Sequence, residues 1–490
     1  MSPLPGPILL IALPLLAAGL AYVLRRWSPV AALLAVVTAG ALALLCLRLP
    51  LDRAALVLGQ EIAFGQPIII VGRTLVLDPS GQIWLAFVFG MSAVLFLVAW
   101  PLPQGRSFYP FGLAILSLYV LVILLQTFSL AILAFAISVT LAIFVIQSES
   151  SASVRGAQRY LLVTLLAVPL LLAAAWLLEA TLPISGSGQL ARQALLPALL
   201  GFGLLVAVFP FGTWMPALAA DAPPLATAFV FTCGQAIALY LMLSFLHDAP
   251  WIVRDPLTPT VLPLAGLVMV VSGGVMAAVQ SDFGRLFGYA ALSDLGFLLL
   301  ALVTGGSQGQ ALALLHTTSR ALTITLYAAA LATIRMRAST DHFARLGGVA
   351  RRLPVAMMGL LVGGLALAGF PLTAGFPIHW AVARQTWNWA QPLSTLAEQT
   401  SAGASNTAGG LWPAVLVVAA LLASSVGIVI GMLRGLSAAL GDTSRQDMER
   451  QPFIASLLIL LLIGIVIFLG LFPQLFLEPV LEITQASPLF

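Results

Sequence analysis

The chain has 490 residues, of which 61% are hydrophobic and 8% charged, with a formal net charge of +4. A soluble domain carries about 25% charged residues, so this chain cannot clothe a water-facing surface of its own size. That excludes a soluble enzyme, a nucleic-acid-binding module and a disordered chain. All 21 basic residues are Arg and none is Lys; all but Arg320 lie at the ends of apolar runs or in the loops between them, so they speak to membrane topology.

The fold class this implies is an all-α polytopic membrane protein. A span needs about 20 apolar residues, and uninterrupted apolar runs lack the alternation of a lipid-facing barrel. In chain order, spans are predicted at 6–24, 28–47, 82–101, 108–126, 128–147, 160–180, 194–213, 223–246, 258–280, 285–304, 309–334, 354–372 continuing brokenly to about 390, 411–434 and 453–473, about 14 in all. Met1 to Leu24 has no basic n-region and reads as a retained first span rather than a cleaved signal. Between spans two and three, Ile68–Val71 and Thr74–Leu77, separated by Gly72-Arg73, predict a small hairpin.

Fourteen Arg residues fall in one set of loops and six in the other, which places the first set in the cytoplasm and both termini on the outer face, as expected for a prokaryotic plasma membrane. Two spans are interrupted by proline: span seven at Phe209-Pro210-Phe211-Gly212, and span twelve at Gly369-Phe370-Pro371 and Gly375-Phe376-Pro377. If helices 4–8 and 9–13 are two five-helix repeats, each break falls in the fourth helix of its repeat. Five is odd, so the second repeat is inverted, and matched breaks in inverted halves point to an ion path. The expected organisation is 1–107 (helices 1–3 with an external hairpin loop), 108–257 (first repeat), 258–440 (second repeat) and 441–490 (helix 14 and tail).

Ionisable residues inside a bilayer are expensive and mark functional candidates. Here they are Asp294 in span ten, His316 and Arg320 in span eleven, and His379 in the broken span twelve. His316 and Arg320 are four apart and share one helix face. Arg cannot release its proton, so a proton route has to use His316, His379, Asp294, waters and hydroxyls; the alternative is an ion pair that only locks helices together. Asp282 is placed to cap span ten ahead of Arg285, and Asp221 reads as a loop carboxylate. His247 and Trp251 read as interfacial anchors. Cys46 and Cys233 permit no disulfide framework or iron–sulfur site, and no nucleotide-, metal- or serine-hydrolase motif occurs. No catalytic site, cofactor or metal is expected.

Four segments in order carry a family resemblance. These are Pro210-Phe211-Gly212-Thr213-Trp214-Met215-Pro216 with Ala222-Pro223 and Thr227-Ala228; Gln280 to Gly296; Leu315-His316-Thr317-Thr318-Ser319-Arg320-Ala321-Leu322; and Ala366 to His379. From about Leu113 to Phe472 the chain resembles the antiporter-like subunits of NADH-quinone oxidoreductase (complex I), related to Mrp-type cation/proton antiporter and membrane hydrogenase subunits. The resemblance implies a non-redox, proton-translocating membrane-arm subunit. Its partners would be other membrane-arm subunits, the bilayer and protons, with no nucleic acid; an Mrp-type antiporter, a hydrogenase arm or another ion or solute complex is the alternative.

The departures from the family pattern matter. The family's Glu in span five falls on Ser138, and its Lys positions in spans seven and eight fall on Leu205 and near Gln235. Its Lys before Arg285 is Gly284, its span-ten His is Asp294, and its span-twelve Lys is His379. With no Lys anywhere, no register shift restores these groups. The expectation is a first repeat that does not conduct protons and a chain that serves mainly as structure in the pumping arm.

Overall fold

The computed structural model describes residues 4–48, 51, 55–57, 60–70, 72–147, 153–181, 188–254, 258–304, 306–400, 412–441 and 451–475. They fall into two compact units, one within 1–207 and 221–253 and the other within 208–220 and 254–488.

In the first unit, strand β1 (Leu4–Pro5) leads into helices α1 (Gly6–Val23) and α2 (Ser28–Arg48). Strands β2 (Ala55–Val57), β3 (Gln60–Ala63), β4 (Ile68–Ile70) and β5 (Arg73–Leu75) follow, then helices α3 (Pro79–Ala99), α4 (Phe108–Leu124), α5 (Phe128–Ile146), α6 (Arg155–Thr181) and α7 (Gly188–Leu205). In hydrocarbon every backbone N–H and C=O needs an internal partner, which the helix supplies. The packed face of α2 is a stripe of mostly small residues, whereas α3 and α4 bury large ones such as Trp84, Phe89, Phe96 and Phe108. Helix α2 buries Ala31, Ala32, Ala35, Ala39, Ala43 and Cys46 and exposes Leu33, Val37, Leu44 and Leu47. That arrangement suits a lipid solvent, where close backbone approach replaces the hydrophobic drive. Asp78 caps α3 by accepting from the Gly81 N–H at 2.9 Å, with Pro79 at the first helical position.

The expected hairpin is present with its turn one residue earlier. Ile68, Ile69 and Ile70 pair antiparallel with Leu75, Thr74 and Arg73, because Gly72 takes the left-handed backbone (φ +71°) that the turn needs. Val71 lies outside the described residues. A second sheet, in the order β1-β3-β2, has no counterpart in the sequence reading.

Span seven breaks as expected, and the break is wider than the proline alone. Helix α7 ends at Leu205, and the chain returns through a 3-10 turn at Phe211–Thr213 to α8 (Trp214–Asp221). Helices α9 (Pro224–Phe229) and α10 (Gln235–Asp248) form one run through a π-helical turn at Val230–Gly234, and α11 (Pro250–Arg254) is short.

The second unit continues with α12 (Thr258–Ala278), α13 (Phe283–Thr304), α14 (Gly306–Ala338), α15 (Val349–Arg352), α16 (Pro354–Leu367), α17 (Phe376–Thr400), α18 (Trp412–Leu440) and α19 (Phe453–Leu471). Every predicted span falls on a helix, so the all-α polytopic architecture of about 14 spans holds. Among the described residues, ten helices are long and apolar enough to cross a bilayer on those grounds alone, and Phe108–Leu124, Arg192–Leu205 and Pro354–Leu367 are shorter apolar helices. Helix α13 is the buried axis of this unit. Its Gly296 admits the backbone of Gly266 and Val270, and its Ser293 packs on Gly273. Ser293 and Ser424 hydroxyls lie 2.9 Å apart and both donate toward the Val270 carbonyl. Phe287 and Tyr327 stack at 4.7 Å.

A Cβ at Gly273 would fall 2.6 Å from the Ser293 backbone nitrogen, whereas one at Gly464 meets nothing within 4 Å. Gly273→Ala is therefore expected to destabilise the full chain by about 1–3 kcal/mol through overpacking. Gly464→Ala should leave it unchanged or raise stability by less than about 1 kcal/mol through helix propensity. Thermal unfolding in mild detergent, followed by size-exclusion chromatography, measures both.

Candidate functional site

The four ionisable residues picked out from the sequence meet inside the second unit. Asp294 lies midway along α13, His316 and Arg320 lie one turn apart on α14, and His379 lies in the first turn of α17. They are 2%, 1%, 5% and 6% exposed, so the groups face one another and not lipid. Helix α13 is fixed at its start by Asp282, whose carboxylate accepts from the Arg285 N–H at 2.7 Å. Burial raises the Asp282 carboxyl above the ordinary range and the nearby Asp341 adds to the rise, while the Arg285 N–H bond offsets part of it.

The Asp294 carboxylate is the hub. One oxygen, Oδ1, lies 3.0 Å from His379 Nε2 and 3.3 Å from His316 Nε2. The other, Oδ2, lies 3.0 Å from Arg320 Nε. Arg320 also donates from Nη2 to the Ala291 carbonyl at 3.2 Å, and His316 Nε2 lies 3.0 Å from the Asp294 main-chain oxygen. Carboxylate and guanidinium cancel in charge, and the two imidazoles are the groups of the cluster whose ring nitrogens can both donate and accept a proton. Phe297 stacks on His379 with centroids 3.9 Å apart and planes 10° apart, and His316 follows in the same stack, 5.6 Å from His379.

The broken helix sets the position of His379. Helix α16 stops at Leu367, and Gly369 turns the chain with φ +69°. A Cβ at Gly369 would run into the His379 ring. Pro377, expected as a breaker, instead occupies the second position of α17, where a missing N–H costs nothing. Beside the cluster lies an apolar cavity of about 260 Å³, lined by Leu312, Leu315, Ser319, Pro377, Ile378 and Leu469 among others.

The remaining positions stand apart from this cluster. Ser138 is buried in α5 and spends its hydroxyl on the Phe135 carbonyl at 2.6 Å. Leu205 is buried at the end of α7, and Gln235 is buried at the start of α10. Gly284 sits at the start of α13, where its N–H donates to Asp341 Oδ2 at 3.0 Å; a side chain there would displace the Arg335 guanidinium. Arg335 binds Asp341 Oδ2 at 2.7 Å and donates to the Ala219 and Ala220 carbonyls at 2.9 and 3.1 Å. Asp221 accepts from the Gly156 N–H at 2.9 Å, at the start of α6, which is a capping role. The sequence reading missed Phe297 and Arg335. Phe297 follows Asp294 by three residues, the helical spacing that puts both on one face.

Gly369→Ala should destabilise the chain through the left-handed backbone and the clash with His379. Adding His379→Ala removes the clash and leaves the backbone strain. The two changes should couple by about 0.5–3 kcal/mol in a double-mutant cycle read by thermal unfolding; simple additivity would contradict the contact.

Comparison with known proteins places this geometry. Residues 124–405 match the family described as NADH:quinone oxidoreductase/Mrp antiporter, TM. The chain is 29% identical over 417 residues to NADH-quinone oxidoreductase subunit N of Desulforudis audaxviator, covering 76% of this chain and 79% of that protein. Among solved structures it is similar to a chain of the Mrp complex from a Dietzia species, with TM-score 0.77 and 16% identity over 97% of this chain and 95% of that one. It is also similar to a chain of respiratory complex I from Thermus thermophilus, with TM-score 0.73 and 18% identity over 96% and 98%. At those identities the structural likenesses establish the fold. With more than half of its length matched, the chain belongs to the NADH:quinone oxidoreductase/Mrp antiporter family of membrane subunits.

Proposed function

We propose that this chain is a membrane-arm, antiporter-like subunit of a complex I-like NADH-quinone oxidoreductase, and that its second repeat holds and passes a proton at the Asp294 cluster. The observation that carries the proton reading is one carboxylate oxygen shared between two imidazoles, 3.0 Å from one and 3.3 Å from the other, at the break ahead of α17. A proton taken up at Nδ1 of one imidazole releases the proton on its Nε2 to Oδ1, and the same oxygen delivers a proton to the other Nε2 once that ring has shifted its own proton to Nδ1. Arg320 balances the carboxylate and keeps its own protons. Phe297 holds the His379 ring in the plane that aims Nε2 at Oδ1.

A cluster kept only to brace helices would be a poor choice. Well-packed apolar residues of similar volume commonly hold a core as well or better than a buried ion pair. The first repeat, with Ser138 and Leu205 at the family's charged positions, acts in this reading as scaffold. The chain itself binds no NADH, quinone or redox centre. In this reading it sits in a prokaryotic plasma membrane with both termini on the outer face, among other membrane-arm subunits, as two inverted five-helix repeats, 108–257 and 258–440, between the flanking regions 1–107 and 441–490. The resemblance of the folds also leaves an Mrp-type assembly as the rival, decided by which subunits co-purify in mild detergent.

The test uses the assembled complex in vesicles. His379→Leu should lower NADH-driven proton flux per electron with assembly intact, and His379→Lys should retain part of it. Unchanged flux in the Leu variant would make the chain a scaffold throughout.

A further inference from the structure

The same donors have a second capacity that no sequence motif announces, because they come from three separate helices. We propose that Asp294, His316 and His379 form a Zn²⁺ site, and that the metal bound there blocks the cluster. The ligand atoms of the three residues all lie within 4.8 Å of one another. Zinc bonds of 2.0–2.2 Å to nitrogen and oxygen place neighbouring donors of a tetrahedral site about 3.3 Å apart. The Asp294 oxygen already stands 3.0 and 3.3 Å from the two Nε2 atoms. Two imidazoles and one carboxylate are a common three-ligand set for zinc, leaving the fourth position for water or hydroxide. Arg320 holds the second carboxylate oxygen at 3.0 Å, so the carboxylate binds through Oδ1 alone and is oriented by an outer partner.

Charge decides which form is bound. Asp294 and Arg320 cancel, so bare Zn²⁺ would leave the cluster at +2 in an apolar interior. Zinc with a hydroxide leaves it at +1, the same charge as the cluster carrying one extra proton. Zinc requires both Nε2 atoms free of protons, so it competes with the proton for the same atoms. That competition rests on the proposed reading of the cluster as a proton site; the binding itself does not.

The test uses the full chain in mild detergent, with His247→Gln and His342→Gln introduced so that the cluster holds the remaining histidines. Added Co²⁺ should give the visible bands of a tetrahedral ion and lose them to Zn²⁺. X-ray absorption of the zinc-loaded chain should show two imidazoles in a four-coordinate N/O shell. In that background His316→Gln or His379→Gln should each weaken Zn²⁺ binding more than about tenfold. Absence of the cobalt bands, or zinc bound with fewer than two imidazoles, would overturn the site whatever the variants do. The two readings fail separately. Zinc bound at the cluster with proton flux of the assembled complex undiminished leaves the metal site and removes the proton role. No zinc bound, with flux lost in His379→Leu, does the reverse.

Discussion

A carboxylate in hydrocarbon must be paired, and in the second unit that need organises everything near the break. Asp294 has four demands on its surroundings: a counter-charge, donors for both oxygens, shelter from lipid and room among three helices. Arg320 supplies the charge from one turn beyond His316, and the two imidazoles supply donors to the inner oxygen. The backbone gives way to meet these needs. The left-handed turn at Gly369 and the late start of α17 deliver His379 within reach, and the glycines of α12 and α13 let the helices approach closely enough to bury the group. Removing Arg320 leaves the buried carboxylate without a counter-charge, which costs several kcal/mol, whereas removing either imidazole takes one donor from Oδ1 and costs less.

The contrast with the first unit has the same physical root. Buried polar groups there pair as neutral partners: Ser138 bonds the carbonyl three residues back, Thr164 and Thr232 bond the carbonyls four back, Ser117 donates to the Ile11 carbonyl and Gln104 Oε1 accepts from the Leu225 N–H. Cys233 and Ser92 pair at 3.3 Å. Such groups hold a helix bundle together without needing to change charge. Among the described residues, the ion pairs of Asp282, Asp294 and Asp341 all lie in the second unit.

Much of this was legible in the residues. Long apolar runs fixed the spans, because lipid leaves the backbone no alternative to a helix. Asp294, His316, Arg320 and His379 stood out because so few charges lie in apolar sequence. What stayed hidden was anything set by approach between distant segments. The sheet joining Leu4–Pro5 to Gln60–Ala63 depends on a pairing across more than fifty residues. The meeting of three helices at one oxygen, and the use of Gly284 as the space for Arg335, depend on tertiary crossings that no spacing rule contains. Proline misleads in the same way: Pro377 begins a helix because its neighbours, not its own ring, determine where the turn falls.

The central claim is that His316 and His379 share one carboxylate and exchange a proton through it. Nitrogen-15 NMR of histidine-labelled chain in bilayers, with His247 and His342 replaced by Gln, observes those two rings directly. The account expects both rings to be Nε2-protonated when neutral and to titrate as a coupled pair. Asp294→Asn should uncouple them and shift both resonances. Two rings that titrate independently, or keep their signals in Asp294→Asn, would contradict it.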